Sequence, residues 1–256
     1  MKKLAIAIAG VLMAASAAVA GPIKVGVAAE PYPPFTVPDA SGHWSGWEVD
    51  ILDAICKDQK LDCVITPTAW DGIIPALTGG QIDMILSSMS ITAAREKVIA
   101  FSDKYYATPA ALATAKDATF GITPDDLAGK IIGVETSTTN EAYARKFFAK
   151  KSKIKVYPTA DEATQDLAAG RVDAVVGDEM ALQGFLNTPQ GKDCCMERAL
   201  PYDKETLGDG IGAGFRKSDT ALRAEFNKGI ADIRANGTYD AISKKYFSFD
   251  IYGSSN

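Results

Sequence analysis

Ala76-Leu77-Thr78-Gly79-Gly80-Gln81-Ile82-Asp83-Met84-Ile85-Leu86-Ser87-Ser88 returns ninety residues later as Asp166-Leu167-Ala168-Ala169-Gly170-Arg171-Val172-Asp173-Ala174-Val175-Val176-Gly177-Asp178. Each copy reads as a helix end, a glycine stop and a short apolar strand whose last residues turn polar. A second matched pair lies upstream, Lys24-Val25-Gly26-Val27-Ala28 and Ile131-Ile132-Gly133-Val134-Glu135. Two copies of one α/β unit predict two similar lobes facing a shared cleft. Ligands of open α/β sheets sit beyond the carboxyl ends of the strands. Those ends carry Ser87, Ser88 and Ser90 in one copy and Asp178 in the other.

Working outward, residues 23–27 read as a strand and Glu30-Pro31-Tyr32-Pro33-Pro34-Phe35 as a rigid loop that presents side chains. Ile51, Leu52 and Ile55 give residues 49–60 a helical period. A strand at 63–66, a helix at 71–78, a strand at 82–86 and a short helix at 93–99 complete the first unit. In the second, Thr136-Ser137-Thr138-Thr139-Asn140-Glu141 carries a capping-box signal and opens a helix to 148. Helix 161–169, strand 172–176, helix 220–236 and helix 239–246 follow. Strands alternating with helices of this length predict mainly parallel sheets. Crossovers are expected near 107–111 and 201–206, giving one lobe from 21–108 with 206–256 and another from 109–205.

The first twenty residues read as a secretory leader. Lys2 and Lys3 precede an apolar run, and Ala18-Val19-Ala20 forms a small-x-small cleavage site, with cutting expected after Ala20. The run is too short and too alanine-rich for a membrane anchor. The expectation is an exported chain of about 236 residues, long enough for two modest cores. Its formal charge moves from −5 to −7 once the two leader lysines are gone. A mildly acidic surface with no basic stripe argues against nucleic acid. Cys56 and Cys63 bracket a short loop that can close, and they are expected to be bridged in an oxidising compartment. The spacing does not suit zinc, and the single histidine, His43, lies in a Gly/Ser/Trp turn expected to face solvent. For the adjacent Cys194 and Cys195, free thiols, a vicinal bridge and an intermolecular bond all remain open.

Gly208-Asp209-Gly210-Ile211-Gly212-Ala213 fits a dinucleotide fingerprint by letter. It lacks the preceding strand and the following helix, so a glycine-rich strand near the hinge is expected and no cofactor is. Catalysis by an imidazole base is excluded, whereas carboxylate or serine chemistry is not. Glu48 reads either as half of an acid/base pair or as a surface helix residue. Arg95 follows the serine-rich strand end closely, and its planar fork suits a carboxylate; the plainer alternative is a helix-surface arginine paired with Glu96 or with nothing.

Together these residues resemble the periplasmic polar amino-acid binding proteins of ABC importers (bacterial solute-binding protein family 3). The likeness is strongest for the lysine/arginine/ornithine- and histidine-binding group. It is carried by Tyr32-Pro33-Pro34-Phe35, Gly46-Trp47-Glu48-Val49-Asp50 and the Cys56/Cys63 pair. It continues through Ser87-Ser88-Met89-Ser90-Ile91-Thr92 with Arg95, Phe101-Ser102-Asp103, Ala169-Gly170-Arg171-Val172-Asp173 and Gly237-Thr238-Tyr239-Asp240. The resemblance implies a two-lobed α/β type II binding-protein fold that closes on its ligand, without catalysis. By the same resemblance Arg95, Ser90, Thr139 and nearby helix N–H groups hold an α-carboxylate, and Asp178 with Ser88 takes an α-ammonium. Tyr32 and Trp70 then flank the ligand side chain, and Ser87, Thr138, Glu30 and Glu135 complete the candidate set. The sequence departs from the group at Glu30, which sits two residues before Tyr32 rather than three. It departs again at Asn140, where glutamine is frequent, and at Glu135, where an apolar residue is common; Glu135 either adds negative charge to the pocket or points to solvent. A monomer that serves an inner-membrane permease is expected, with a cationic amino acid or a guanidino or opine relative as ligand. The alternatives are a glutamine-type ligand, a cyclohexadienyl dehydratase-like enzyme on the same scaffold, and a domain that feeds a sensor.

Overall fold

The repeat resolves as two five-stranded sheets built to one plan, in a computed structural model that describes residues 21–253. The leader and its cleavage site lie outside the described residues. The strands are β1 (Ile23–Ala28), β2 (Val37–Pro38), β3 (Trp44–Ser45), β4 (Cys63–Thr68), β5 (Met84–Ile85) and β6 (Ala100–Phe101). They continue as β7 (Ala110–Ala115), β8 (Ile131–Glu135), β9 (Lys153–Tyr157), β10 (Ala174–Asp178), β11 (Cys195–Ala199) and β12 (Gly214–Phe215). One sheet has the order β4-β1-β5-β12-β6, the other β9-β8-β10-β7-β11, and β2 and β3 form a small separate hairpin.

In the first sheet β1 runs parallel to β4 and β5; in the second β8 runs parallel to β9 and β10. The two sequence repeats therefore occupy equivalent central strands. Each sheet is completed by an antiparallel strand, β12 beside β5 and β7 beside β10. These are the strands that follow the two crossings. The chain leaves β6, passes through 102–109 and enters the other sheet as β7; it leaves β11, passes through 200–213 and returns as β12. A strand arriving from the opposite lobe enters from the cleft side, and so runs against its neighbour. The sheets are mainly parallel with one reversed strand each, a detail that strand-and-helix alternation alone does not reveal.

The predicted helices form with small shifts. The first spans Trp47–Asp58 and starts two residues earlier than its apolar period suggested, because Gly46 makes the entry turn. Gly46 has φ 124°, and a Cβ there would lie 2.3 Å from the carbonyl oxygen of Phe35. That close approach lets the N–H groups of Trp47 and Glu48 donate to the Pro34 and Phe35 carbonyls at 2.9 and 3.0 Å. Helix-start donors are thus satisfied by the proline loop, which is held in place as a result. The expected 71–78 helix divides into a 3-10 turn, Trp70–Gly72, and an α-helix, Ile73–Thr78. In the second lobe Thr138 caps helix Thr139–Phe147, accepting from the Glu141 N–H at 3.0 Å, while Glu141 accepts from the Ser137 N–H at 2.8 Å. The strand expected at 172–176 is displaced to Ala174–Asp178, since its pairing with β7 continues to the Asp178–Ala110 register.

The first core is aromatic. Trp47 is fully buried among Tyr105, Tyr106, Tyr239 and Phe247, and its indole N–H donates to Ser243 Oγ at 3.0 Å. Phe226, Ile230 and Ile251 from the C-terminal quarter share this core with β1. Two disulfides are present. Cys56–Cys63 ties the end of helix Trp47–Asp58 to β4, and Cys194–Cys195 is vicinal, which resolves the three possibilities left by the sequence. Replacing Cys56 and Cys63 by serine should lower unfolding free energy by about 2–3 kcal/mol through the unfolded chain's regained freedom. Urea denaturation of oxidised wild type and double mutant checks this, and an unchanged midpoint contradicts it.

Candidate functional site

Both sheets direct the carboxyl ends of their central strands at one cavity of about 870 Å³. Beyond β5, Ser87, Ser88 and Ser90 line it; at the ends of β8 and β10 so do Glu135 and Asp178. Glu30, Tyr32, Trp70 and Arg95 contribute from the first lobe's loops, and Thr138 and Thr139 from the opposite helix start. Asn140 also lines the cavity. All the residues expected to touch the ligand are therefore brought together.

Arg95 carries the single positive charge in this lining. Thr92 caps its short helix by accepting from the Arg95 N–H. The guanidinium donates to the carbonyl of Ser90 at 2.9 Å and to that of Ser137, across the cleft, at 3.1 Å. Its centre lies 5.5 Å from that of the Trp70 ring, a cation–π contact. Burial lowers its pKa to about 10, so it remains cationic at neutral pH. No carboxylate among the described residues pairs with it, Glu96 included; Arg95 is partly buried and turned into the cavity lining.

Asp178 is the anionic counterpart. It ends β10 and caps helix Glu179–Leu186, one oxygen accepting from the Met180 and Ala181 N–H groups at 2.9 and 3.3 Å. Its other oxygen accepts from the Thr108 hydroxyl. Burial lifts its pKa to about 6, against the lowering effect of those donors.

Glu48 departs from both of its sequence readings. It is fully buried, lies outside the cavity lining, and is neither a surface residue nor one of an exposed acid/base pair. Its carboxylate accepts from the Ser88 N–H at 2.8 Å, the Ser88 hydroxyl at 3.0 Å and the Tyr105 hydroxyl. Ser88 has φ 51°, a left-handed conformation unusual for a residue with a side chain. Glu48 holds this turn, and because the Ser88 hydroxyl donates to it, the lone pairs of that oxygen are left free to accept. Ser87 is similarly committed, its hydroxyl accepting from the Ala28 N–H at 2.9 Å. The one hint in the sequence is the position of Glu48 directly after Gly46-Trp47, on the helix turn that meets the proline loop.

Besides the Thr108–Asp178 bond at the crossing, three contacts among the described residues bridge the two sides of the cavity. Trp70 Nε1 donates to the Thr136 carbonyl at 3.1 Å, Ser90 and Thr139 hydroxyls lie 3.4 Å apart, and Arg95 reaches Ser137. At the far end Gly184 lies against Pro33, where a Cβ would come within 3.3 Å of the proline ring. These contacts bridge the two sides of the cavity. Inside it, Glu30 and Glu135 face one region beside Tyr32. Glu30 Oε2 is buried with no hydrogen-bond partner, and burial followed by repulsion from Glu30 raises the Glu135 pKa to about 7. Burial, then Asp178 and Glu135, raises the Tyr32 hydroxyl pKa.

Residues 23–249 match the bacterial extracellular solute-binding proteins, family 3. The chain belongs to that family. It is 41% identical to the lysine/arginine/ornithine-binding periplasmic protein of Escherichia coli K12, over 99% of this chain and 100% of that one. It is 40% identical to the histidine-binding periplasmic protein of Salmonella typhimurium, with the same coverage. Among solved structures, an ancestral arginine-binding protein bound to glutamine superposes with TM-score 0.79 at 33% identity, covering 90% of this chain and 99% of that one. In this solute-binding fold the glycine-rich segment 208–213 has a structural place. Ile211 bridges both Ser90 and Tyr106, and the Ile91 N–H donates to Gly210, so the returning crossover lies against the cleft floor.

Glu48→Ala should destabilise the protein by about 3 kcal/mol or more, because it strands buried donors of Ser88 and Tyr105. Glu48→Gln should fall between, since an amide keeps one acceptor oxygen. Equilibrium denaturation of the two variants measures this, and a loss below about 1 kcal/mol for alanine contradicts the anchoring role.

Proposed function

We propose that this protein is an extracytoplasmic receptor that captures an amino acid by hinge closure and presents it to an ABC permease. The observation that carries the reading is the unpaired Arg95 guanidinium facing the same cavity as Asp178. An α-amino acid brings opposite charges a few ångströms apart and needs one cationic and one anionic grip. Arg95 takes the α-carboxylate, with the hydroxyls of Ser90 and Thr139 and the donors at the start of helix Thr139–Phe147 beside it. Thr138 caps that start, and Ser87 fixes the strand end from which Ser88 turns. Asp178 and the Ser88 oxygen take the α-ammonium. Each grip draws on both lobes, so the ligand has its higher affinity for the closed state and shifts the hinge toward it.

Beyond the α-carbon the side chain runs between Tyr32 and Trp70 toward Glu30 and Glu135. Acidic groups there favour a ligand ending in a cation and repel glutamate and aspartate. The two related periplasmic proteins, whose names give lysine, arginine, ornithine and histidine, agree with that class. Glutamine remains the neutral competitor. The division into 21–108 with 206–256 and 109–205, with hinges at the crossings, belongs to this reading, as do monomeric action and export by a leader cut after Ala20. No bond of the ligand is broken in this scheme.

Arg95→Ala should lose about 3 kcal/mol or more of binding, the worth of two charge-assisted hydrogen bonds, and Arg95→Lys should recover little of it. Calorimetry with arginine tests this, and near-normal affinity in folded Arg95→Ala overturns the assignment. A second expectation concerns pH. Asp178 gains a proton as pH falls below about 6 and loses its hold on the ammonium. Affinity for every α-amino acid should therefore weaken below that point, approaching tenfold per pH unit. Unliganded stability moves the other way: a carboxyl whose folded pKa is raised from 3.8 to about 6 favours folding at low pH and loses that contribution across this window. Affinity that stays flat from pH 7 to 5 contradicts the role given to Asp178.

A further inference from the structure

Glu135 stands at the end of β8 and lines the cavity, and no cation among the described residues pairs with it. No hydrogen bond to its carboxylate contributes to its titration among the described residues. The nearest acidic neighbour, Glu30, has an oxygen that is buried and unpartnered. Arg95, the cation of the lining, is bound to the Ser90 and Ser137 carbonyls. The other elements around Glu135 add no free positive charge. On β9 Tyr157 lies beside it in register, but that hydroxyl is bonded to Asp166, which Lys155 and Arg171 already bridge. On helix Thr139–Phe147, Glu141 is paired with Arg145. Asp161 and Glu162 line the cavity from helix Ala160–Ala168, and Tyr32 and Asp178 complete the surroundings.

We propose that Glu135 is a specificity-determining residue that works by exchange, giving up a proton held beside Glu30 when the ligand's terminal cation arrives. The inference rests on the receptor reading above and deepens it. Within the cavity Arg95 offsets Asp178, and the ligand's own α-groups cancel each other. Asp161 and Glu162 are exposed at the rim, so Glu30 and Glu135 remain as the two partly buried carboxyls facing one ligand cation. Two carboxylates in one half-desolvated site do not both ionise readily, so the empty site keeps a proton. On binding, the carboxyl O–H of Glu135 breaks and its proton passes to the solvent buffer. The ligand's N–H groups then bond to the two carboxylates. A guanidinium has donors along two edges and can meet both oxygens sets at once. An uncharged side chain of the same shape cannot displace the proton. Selectivity for cations is thereby strengthened as pH rises through neutrality.

Arginine and citrulline separate the effects, since citrulline keeps the shape and the α-groups but lacks the distal charge. Calorimetry of the mature protein at pH 7, in phosphate and in Tris, gives the number of protons released per ligand. Arginine should release about half a proton more than citrulline, as fits a group half-protonated at that pH. In Glu135→Gln that excess should vanish, and the arginine-over-citrulline preference should shrink at least tenfold. Glu135→Asp, which restores a carboxyl, should recover both. Titration of Asp178 is common to the two ligands and cancels in the comparison. Equal proton release by both ligands in wild type, or an unchanged preference in Glu135→Gln, overturns the exchange while leaving the receptor reading intact. Loss of all binding in Glu135→Gln supports the exchange only if Glu135→Asp binds arginine with proton release, and otherwise counts against it. Folded wild type that binds neither ligand nor any other amino acid defeats the receptor reading, and the exchange with it.

Discussion

A guanidinium fixed at the cleft without a carboxylate partner is the constraint on which the rest of this structure depends. Arg95 is satisfied by backbone carbonyls and an indole face, which meet its donors without cancelling its charge. A buried charge lacking a counter-ion is unfavourable unless hydrogen bonds hold it and something anionic can complete it. Asp178 is the converse case, an aspartate whose hydrogen bonds keep it in place while burial favours its neutral form. In the proposed function one molecule bearing a carboxylate and an ammonium on the same carbon relieves both sites together.

The fold makes this possible by duplication and exchange. Equivalent central strands aim their ends at a common space, and each crossing chain becomes the reversed strand of the other sheet. In the proposed function the two grips lie on bodies joined by two short segments, and the bonds of Trp70, Ser90 and Arg95 cross from one to the other. Rigidity is supplied behind the site. Gly46 allows the proline loop to fasten to a helix start, and Glu48 then anchors the left-handed turn at Ser88. Strain of this kind at a ligand-facing turn persists because surrounding hydrogen bonds over-determine it.

Much of this was legible in the sequence, for identifiable reasons. Strand-end logic applied to the repeat located Ser88, Ser90 and Asp178, because in α/β units the polar residues after an apolar strand lie at the sheet's edge. The capping signal around Thr138 was readable because a cap is local. Glu48 was misread because its burial depends on Ser88 and Tyr105, forty and fifty-seven residues away, and nothing local announces such partners. The reversed strands β7 and β12 were hidden for a related reason: their direction is set by where the chain comes from. Whether Glu30 and Glu135 face inward was undecidable from spacing, since a strand end and a proline loop can each turn a side chain either way.

In the proposed function one zwitterion bridges Arg95 and Asp178 across the cleft. A crystal structure of the mature protein grown with arginine tests it most directly. The expected result is an α-carboxylate paired side-on with the Arg95 guanidinium, an α-ammonium between Asp178 and Ser88, and a side chain directed at Glu30 and Glu135. Arginine bound in the reverse orientation, or outside this cavity with Arg95 still on its backbone carbonyls, would contradict it.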